Sequence, residues 1–120
     1  MSSADAWMPL VIGDYLGATE HLSMEQSGSY LHLLMHQWRR GVIPAGENLL
    51  AKICRCTPAR WRSHIAPVIL PFFTLVDGRL MQMRLARERG LAREKSHKAA
   101  DSASTRWSKN RGVFSTISAT

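Results

Sequence analysis

No apolar run in this chain is long enough to cross a membrane. The longest, Val68 to Phe73, is interrupted by Pro71, whereas a spanning helix needs about 20 apolar residues. The N-terminus, MSSADAWMPL, lacks the positive charge followed by an apolar stretch that marks a signal peptide. A cytoplasmic protein is therefore expected. Cysteine is scarce. Cys54 and Cys56 are the whole supply, and with a single residue between them they cannot close an unstrained disulfide in a helix or ordinary turn. That agrees with a reducing compartment.

The same scarcity argues against a metal. A structural zinc takes four ligands, usually as pairs spaced by two to four residues. Cys54, Cys56 and His64 do not have that spacing, and no second pair exists. His32 and His36, in HLLMH, stand four apart as in zinc-protease helices, but Leu33 occupies the place of the glutamate base. A glycine-rich phosphate loop and a nucleophile elbow are also missing. Asp14, Glu20, Glu25 and Glu47 form no pair at a defined spacing. No enzyme, metal or cofactor is expected.

What the chain does have is an uneven distribution of charge. Its 120 residues, 45% of them hydrophobic, suffice for one domain with a modest core and a tail. Up to Gly78, Arg39, Arg40, Lys52, Arg55, Arg60 and Arg62 are matched by Asp5, Asp14, Glu20, Glu25, Glu47 and Asp77. The net +7 therefore resides wholly in residues 79–120. A neutral body with a basic extension points to a polyanionic partner, nucleic acid before a membrane surface. The competing reading is a solvated linker.

Local signals order the elements. Met8 to Ile12 is β-prone, and Asp14 can cap one helical turn to Thr19. Ser23 followed by Gln26 is a capping box, with Leu22 placed as a hydrophobic staple. The helix it opens sets Tyr30, Leu31, Leu33, Leu34, Met35, Gln37 and Trp38 on one side, with His32, His36, Arg39 and Arg40 on the other. Gly41 and Pro44 end it. Asn48 to Cys54 is a shorter helix with Leu49, Leu50 and Ile53 inward. Thr57-Pro58 starts another, expected to run to about Ala66, with Trp61, Ile65 and Val68 in the core. Asp77-Gly78 between apolar runs marks a β-hairpin. Beyond Leu85 a charged helix is expected, weakened at Gly90, and then a Ser- and Thr-rich tail.

Three helices followed by a hairpin is the order of a winged helix-turn-helix. The expected fold is mainly α with a small β-hairpin. A winged-helix domain covers residues 1–85, a basic helical extension 86–104 and a disordered tail 105–120. In such a fold the last bundle helix enters the major groove. There Arg60, Ser63 and Arg62 are the candidate contacts to phosphates and base edges. Arg79 at the hairpin tip would be the wing contact, and Arg84 follows on the return strand. Arg87, Arg89 and Arg93, with Lys95, Lys98, Arg106, Lys109 and Arg111, would add salt-sensitive, sequence-independent phosphate binding. Trp107 among them could stack on a base. The alternative for each is an ordinary solvated face.

The segments WMPLVIGDYLGATEHLS, GSYLHLLMHQWRRG, RWRSHIAPVILPFFTLVDGRL and LAREK resemble the YdaU-like family, from about Trp7 to Ser96. The resemblance implies a prophage-encoded protein of unassigned activity, similar to the N-terminal parts of phage replication-initiation proteins. It further implies origin recognition or replisome organisation, with a helicase or helicase loader as partner; the element order and the charge segregation are what point to double-stranded DNA and to a nucleoid-associated protein. A protein-docking module and a transcriptional regulator are the rival expectations. No site residues transfer with the resemblance.

Overall fold

A computed structural model describes residues 7–113, with side chains as far as Ala99. Helix α1 (Ile12–Thr19) is followed by α2 (Met24–Arg40), strand β1 (Ile43–Pro44) and α3 (Glu47–Ile53). Residues 58–69 form α4, a composite of an α turn Pro58–Arg60, a π turn Trp61–Ile65 and an α turn Ala66–Ile69, extended by a 3-10 turn Leu70–Phe72. Strands β2 (Thr74–Val76) and β3 (Arg79–Met81) make the hairpin, and α5 (Met83–Val113) completes the described chain. The fold is mainly helical, with one three-stranded antiparallel sheet in the order β1-β3-β2.

Helix α2 organises the body. Its capping box forms as the sequence requires: Ser23 Oγ accepts from the Gln26 N–H at 3.1 Å, and Gln26 Oε1 accepts from the Ser23 N–H at 2.9 Å. Tyr30, Leu33, Leu34 and Trp38 enter a core completed by Ile43, Leu50, Ala51, Trp61, Ile65, Ala66, Ile69, Phe73, Leu80 and Leu85. Leu31 is only half-buried and Met35 is exposed, so the apolar stripe is narrower than its sequence. Ala51, not Leu49, faces inward from α3. At the end of α2, Gly41 adopts φ +92° and its N–H donates to the Gln37 carbonyl at 2.6 Å.

The N-terminal strand expected at Met8 to Ile12 does not form. Met8 to Val11 precede α1, which starts at Ile12 itself with no side-chain cap. The sheet is completed instead by Ile43–Pro44, whose Ile43 pairs with Leu80. Asp14 lies in the first turn of α1 and bonds to Arg84 rather than capping. Tyr15 fastens α1 to α2: its hydroxyl donates to the Ser27 carbonyl at 2.9 Å, and its ring stacks on Tyr30 at 6.0 Å. Tyr30 in turn stacks on Phe72 at 4.5 Å.

Helix α4 continues past Pro67. A proline inside an α-helix removes a hydrogen bond and crowds the carbonyl four residues back. Here the π turn, closed by the Ala66 N–H on the Trp61 carbonyl, lets Pro67 sit in the first turn of a fresh α segment, where no N–H is needed. The wide turn also corrects the phase. In a plain α-helix Ile69 would lie about 80° round from Trp61, yet both are buried in one core. The hairpin closes as expected, with Asp77 and Gly78 at φ 51° and 75°.

Helix α5 begins at Met83, so Arg84 belongs to it and not to the return strand. Leu85 is buried and Ala92 packs against the core; the expected division between residues 85 and 86 therefore falls inside one helix. The helix passes Gly90 and continues to Val113, beyond residue 104, the expected end of the extension. Residues 114–120 of the expected tail lie outside the described residues.

Candidate nucleic-acid interface

The start of α4 is built by local chemistry. Thr57 Oγ1 accepts from the Arg60 N–H at 3.1 Å and Pro58 fixes the first turn. Trp61 turns into the core, while Ala59, Arg60, Arg62 and Ser63 are exposed. The arginines are not bare cations. Arg60 Nε and Nη2 donate to both Glu25 oxygens, with Nε–Oε1 at 3.0 Å and Nη2–Oε2 at 2.8 Å. His64 Nε2 stands 3.9 Å from the same carboxylate. Arg62 Nε donates to Glu47 Oε2 at 3.1 Å, and its Nη2 to Oε1. Hydrogen bonding to these guanidiniums holds the Glu25 and Glu47 carboxyls below the usual carboxylate range. Gln26 braces the joint, its Nε2 donating to the His64 carbonyl at 3.0 Å.

The remaining candidates divide by partner. Ser63 and Arg79 are exposed, Arg79 at the first position of β3 beside Gly78. Arg84 Nη2 donates to Asp14 Oδ2 at 2.8 Å, and its Nε to Glu88 at 3.4 Å. Arg89 is committed to structure: its Nε donates to the Trp38 carbonyl at 2.6 Å, and its guanidinium lies against Gly41. Arg87 and Arg93 are exposed on α5, as are Lys95 and Lys98; Lys98 meets Glu94 at 3.3 Å. The side chains of Arg106, Trp107, Lys109 and Arg111 lie outside the described residues.

The structure thus leaves Arg60, Arg62, Ser63 and Arg79 exposed, ties Arg60 to α2 and Arg62 to α3 through Glu25 and Glu47, and strings the other cations along α5. What sequence reasoning missed are the carboxylates that face the arginines. The equal numbers of acids and bases up to Gly78 carried that signal in outline. Between α3, α4 and the hairpin lies a groove of about 560 Å³, lined by Leu50, Trp61, Leu70, Phe73, Leu75 and Leu80 with Glu47 and Arg62 at its rim.

The cysteines settle into packing. Cys54 Sγ donates to the Ser29 carbonyl at 3.9 Å, and burial pushes its thiol up to about 11. Burial also raises Cys56. His36 is half-buried rather than exposed, and burial, then the Arg40 charge, lowers its pKa. Among the described residues no three His, Cys, Asp or Glu side chains are grouped to hold a metal ion. Among them also, no helix is long and apolar enough to cross a membrane.

These features define a small, mainly helical protein with a neutral body and a cationic C-terminal helix. Residues 6–89 match the family described as "Protein of unknown function (DUF1376)", and the chain belongs to that family. Over 89 residues, 74% of this chain, it is 38% identical to the "Uncharacterized protein YdaU" of Escherichia coli (strain K12). The match covers 30% of that protein's length. No solved structure matches.

Proposed function

We propose that this chain is a DNA-binding module of winged-helix type, of prophage origin, acting in the initiation of DNA replication. The observation that carries the binding reading is the segregation of charge onto α5. Arg87, Arg93, Lys95 and Lys98 stand on a helix of 31 residues, about 46 Å long, beside a body whose charges are internally matched. Such an array neutralises phosphates without fixed geometry. The winged-helix assignment draws on the element order: α2, β1, α3, α4, β2, β3, with α4 in the place of a recognition helix and the hairpin as wing. Arg60 and Arg62 reach DNA in this reading only by exchanging carboxylate for phosphate. Both pairs are solvent-exposed, where water screens an ion pair and it contributes little, so the exchange costs little. Replication and prophage origin rest on the family resemblance alone.

Duplex binding followed by fluorescence anisotropy across a salt series tests this. The logarithm of affinity should fall linearly with the logarithm of salt, by about 0.9 per phosphate neutralised. Replacing Arg87 and Lys95 with alanine should flatten that slope by about 0.9 for each cation that no longer meets a phosphate. Undetectable binding at low salt overturns the proposal.

A second reading is favoured by the apolar groove between α3, α4 and the hairpin. The two charged residues that line it, Glu47 and Arg62, pair with each other, and Leu75 and Leu70 are exposed at the groove. It suits a protein partner such as a helicase or its loader, and can coexist with DNA on α5.

A further inference from the structure

We propose that a slot between the N-terminal segment and α5 is a stacking site for an unpaired base of single-stranded DNA; this rests on the DNA-binding reading and gives it a strand preference. The slot holds about 410 Å³ and is lined by Trp7, Pro9, Trp38, Ala92, Ser96 and Ala99, with Lys95 on its edge. Trp38 is its closed floor at 2% exposure, whereas Trp7 is 74% exposed. An indole so exposed gains little from the core, and its face is open to a second flat, apolar partner.

Three features select a nucleobase. The opposing wall is made of small side chains on successive turns of α5, Ala92, Ser96 and Ala99, so a planar ring meets no bulky group. Ser96 supplies a hydroxyl at that wall. The charge is complementary: at 100° per residue, Arg87, Leu91, Lys95 and Lys98 share about 80° of arc on α5, and Lys95 is both in that row and on the slot's edge. Arg39 and Arg40, directly after Trp38, are exposed as well. A strand with one base between Trp7 and α5 therefore carries its flanking phosphates along cations. Aromatic platforms beside cationic grooves are how sequence-tolerant single-strand binding is built. A base inside a duplex is stacked on its neighbours and cannot enter.

The full chain is titrated against labelled oligothymidylate and against a duplex of equal length, with Trp7→Ala, Trp7→Phe and Ala99→Glu beside the wild type. Trp7→Ala should weaken oligothymidylate binding about tenfold, the weight of one stacked base, and leave duplex binding within twofold. Trp7→Phe should retain most of the affinity, and Ala99→Glu, which puts a carboxylate into the slot, should lose it. Wild-type binding of duplex without oligothymidylate overturns this inference and leaves the DNA-binding proposal standing. Binding of neither overturns both. Equal losses on the two ligands, or unchanged oligothymidylate binding by both Trp7→Ala and Ala99→Glu, also overturn the slot.

Discussion

Replacing Gln37 with leucine should loosen α5 from the body. Gln37 is fully buried in α2, and its amide clasps the backbone of Gln82, the residue between β3 and α5. Its Oε1 accepts from the Gln82 N–H at 2.8 Å and its Nε2 donates to the Gln82 carbonyl at 2.9 Å. That carbonyl also accepts the first helical bond of α5, from the Ala86 N–H at 3.0 Å. Leucine therefore orphans one N–H, at about 1–3 kcal/mol, and removes one further bond worth about 0.5–1.5 kcal/mol. Its own apolar burial offsets about 1 kcal/mol, leaving a net loss of about 0.5–3.5 kcal/mol. Against a typical stability of about 5–15 kcal/mol this is a large shift, read as a lower urea midpoint by far-UV circular dichroism. Gln37→Glu keeps the acceptor but sets a buried carboxylate against a carbonyl. Its folded-state pKa would lie above the unfolded value, so stability should be fully recovered below the unfolded carboxylate pKa and lost as pH rises through the folded one. A Gln37→Leu protein within about 0.5 kcal/mol of wild type would refute the clasp, since a surface substitution does no more than that.

Glu25→Gln with Glu47→Gln should release Arg60 and Arg62, raising duplex affinity and steepening its salt dependence in the anisotropy assay; unchanged binding would remove α4 from the DNA contact. Because both carboxyls are held below their ordinary range, their contribution to stability is present above the unfolded carboxylate pKa. It is lost as pH falls through the folded value, so the wild type should lose more stability on acidification than the double variant. Iodoacetamide followed by mass spectrometry should label Cys56 ahead of Cys54, whose thiol is raised to about 11; equal rates would contradict the packing of Cys54. Gly78→Ala, at φ 75°, should lower stability by about 1–2 kcal/mol in thermal melts, and a neutral result would mean the turn relaxes.

Most elements were legible because their signals are local. The Ser23–Gln26 box, Thr57-Pro58 and Asp77-Gly78 each involve groups within a few residues, whose chemistry does not wait for the rest of the chain. Trp61 was readable as core from periodicity alone. The two-residue strand at Ile43 was not, because nothing in Ile43–Pro44 marks a strand until Leu80 arrives beside it. The π turn was hidden for a related reason: Pro67 signals a break, but the core's demand on Ile69 decides how the break is accommodated. The candidate site was legible in its cations and not in their partners. Glu25 lies 35 residues from Arg60, and no pattern in the intervening sequence announces the pair. Arg89 reads as one more tail cation, yet a backbone carbonyl and the bare Cα of Gly41 claim it.

The sheet order has a consequence for the time course of folding. Its central strand, β3, must wait for Ile43 to be brought to Leu80, and the clasp spans 45 residues from Gln37 to Gln82. The consecutive helix pairs α2–α3 and α3–α4 meet across much shorter loops, and short closures come first. The junction that carries α5 is then among the last to form on the way in and the first surrendered on the way out. In stopped-flow experiments Gln37→Leu should accordingly speed unfolding and leave the refolding rate nearly unchanged; a slowed refolding limb would place the clasp in the nucleus instead.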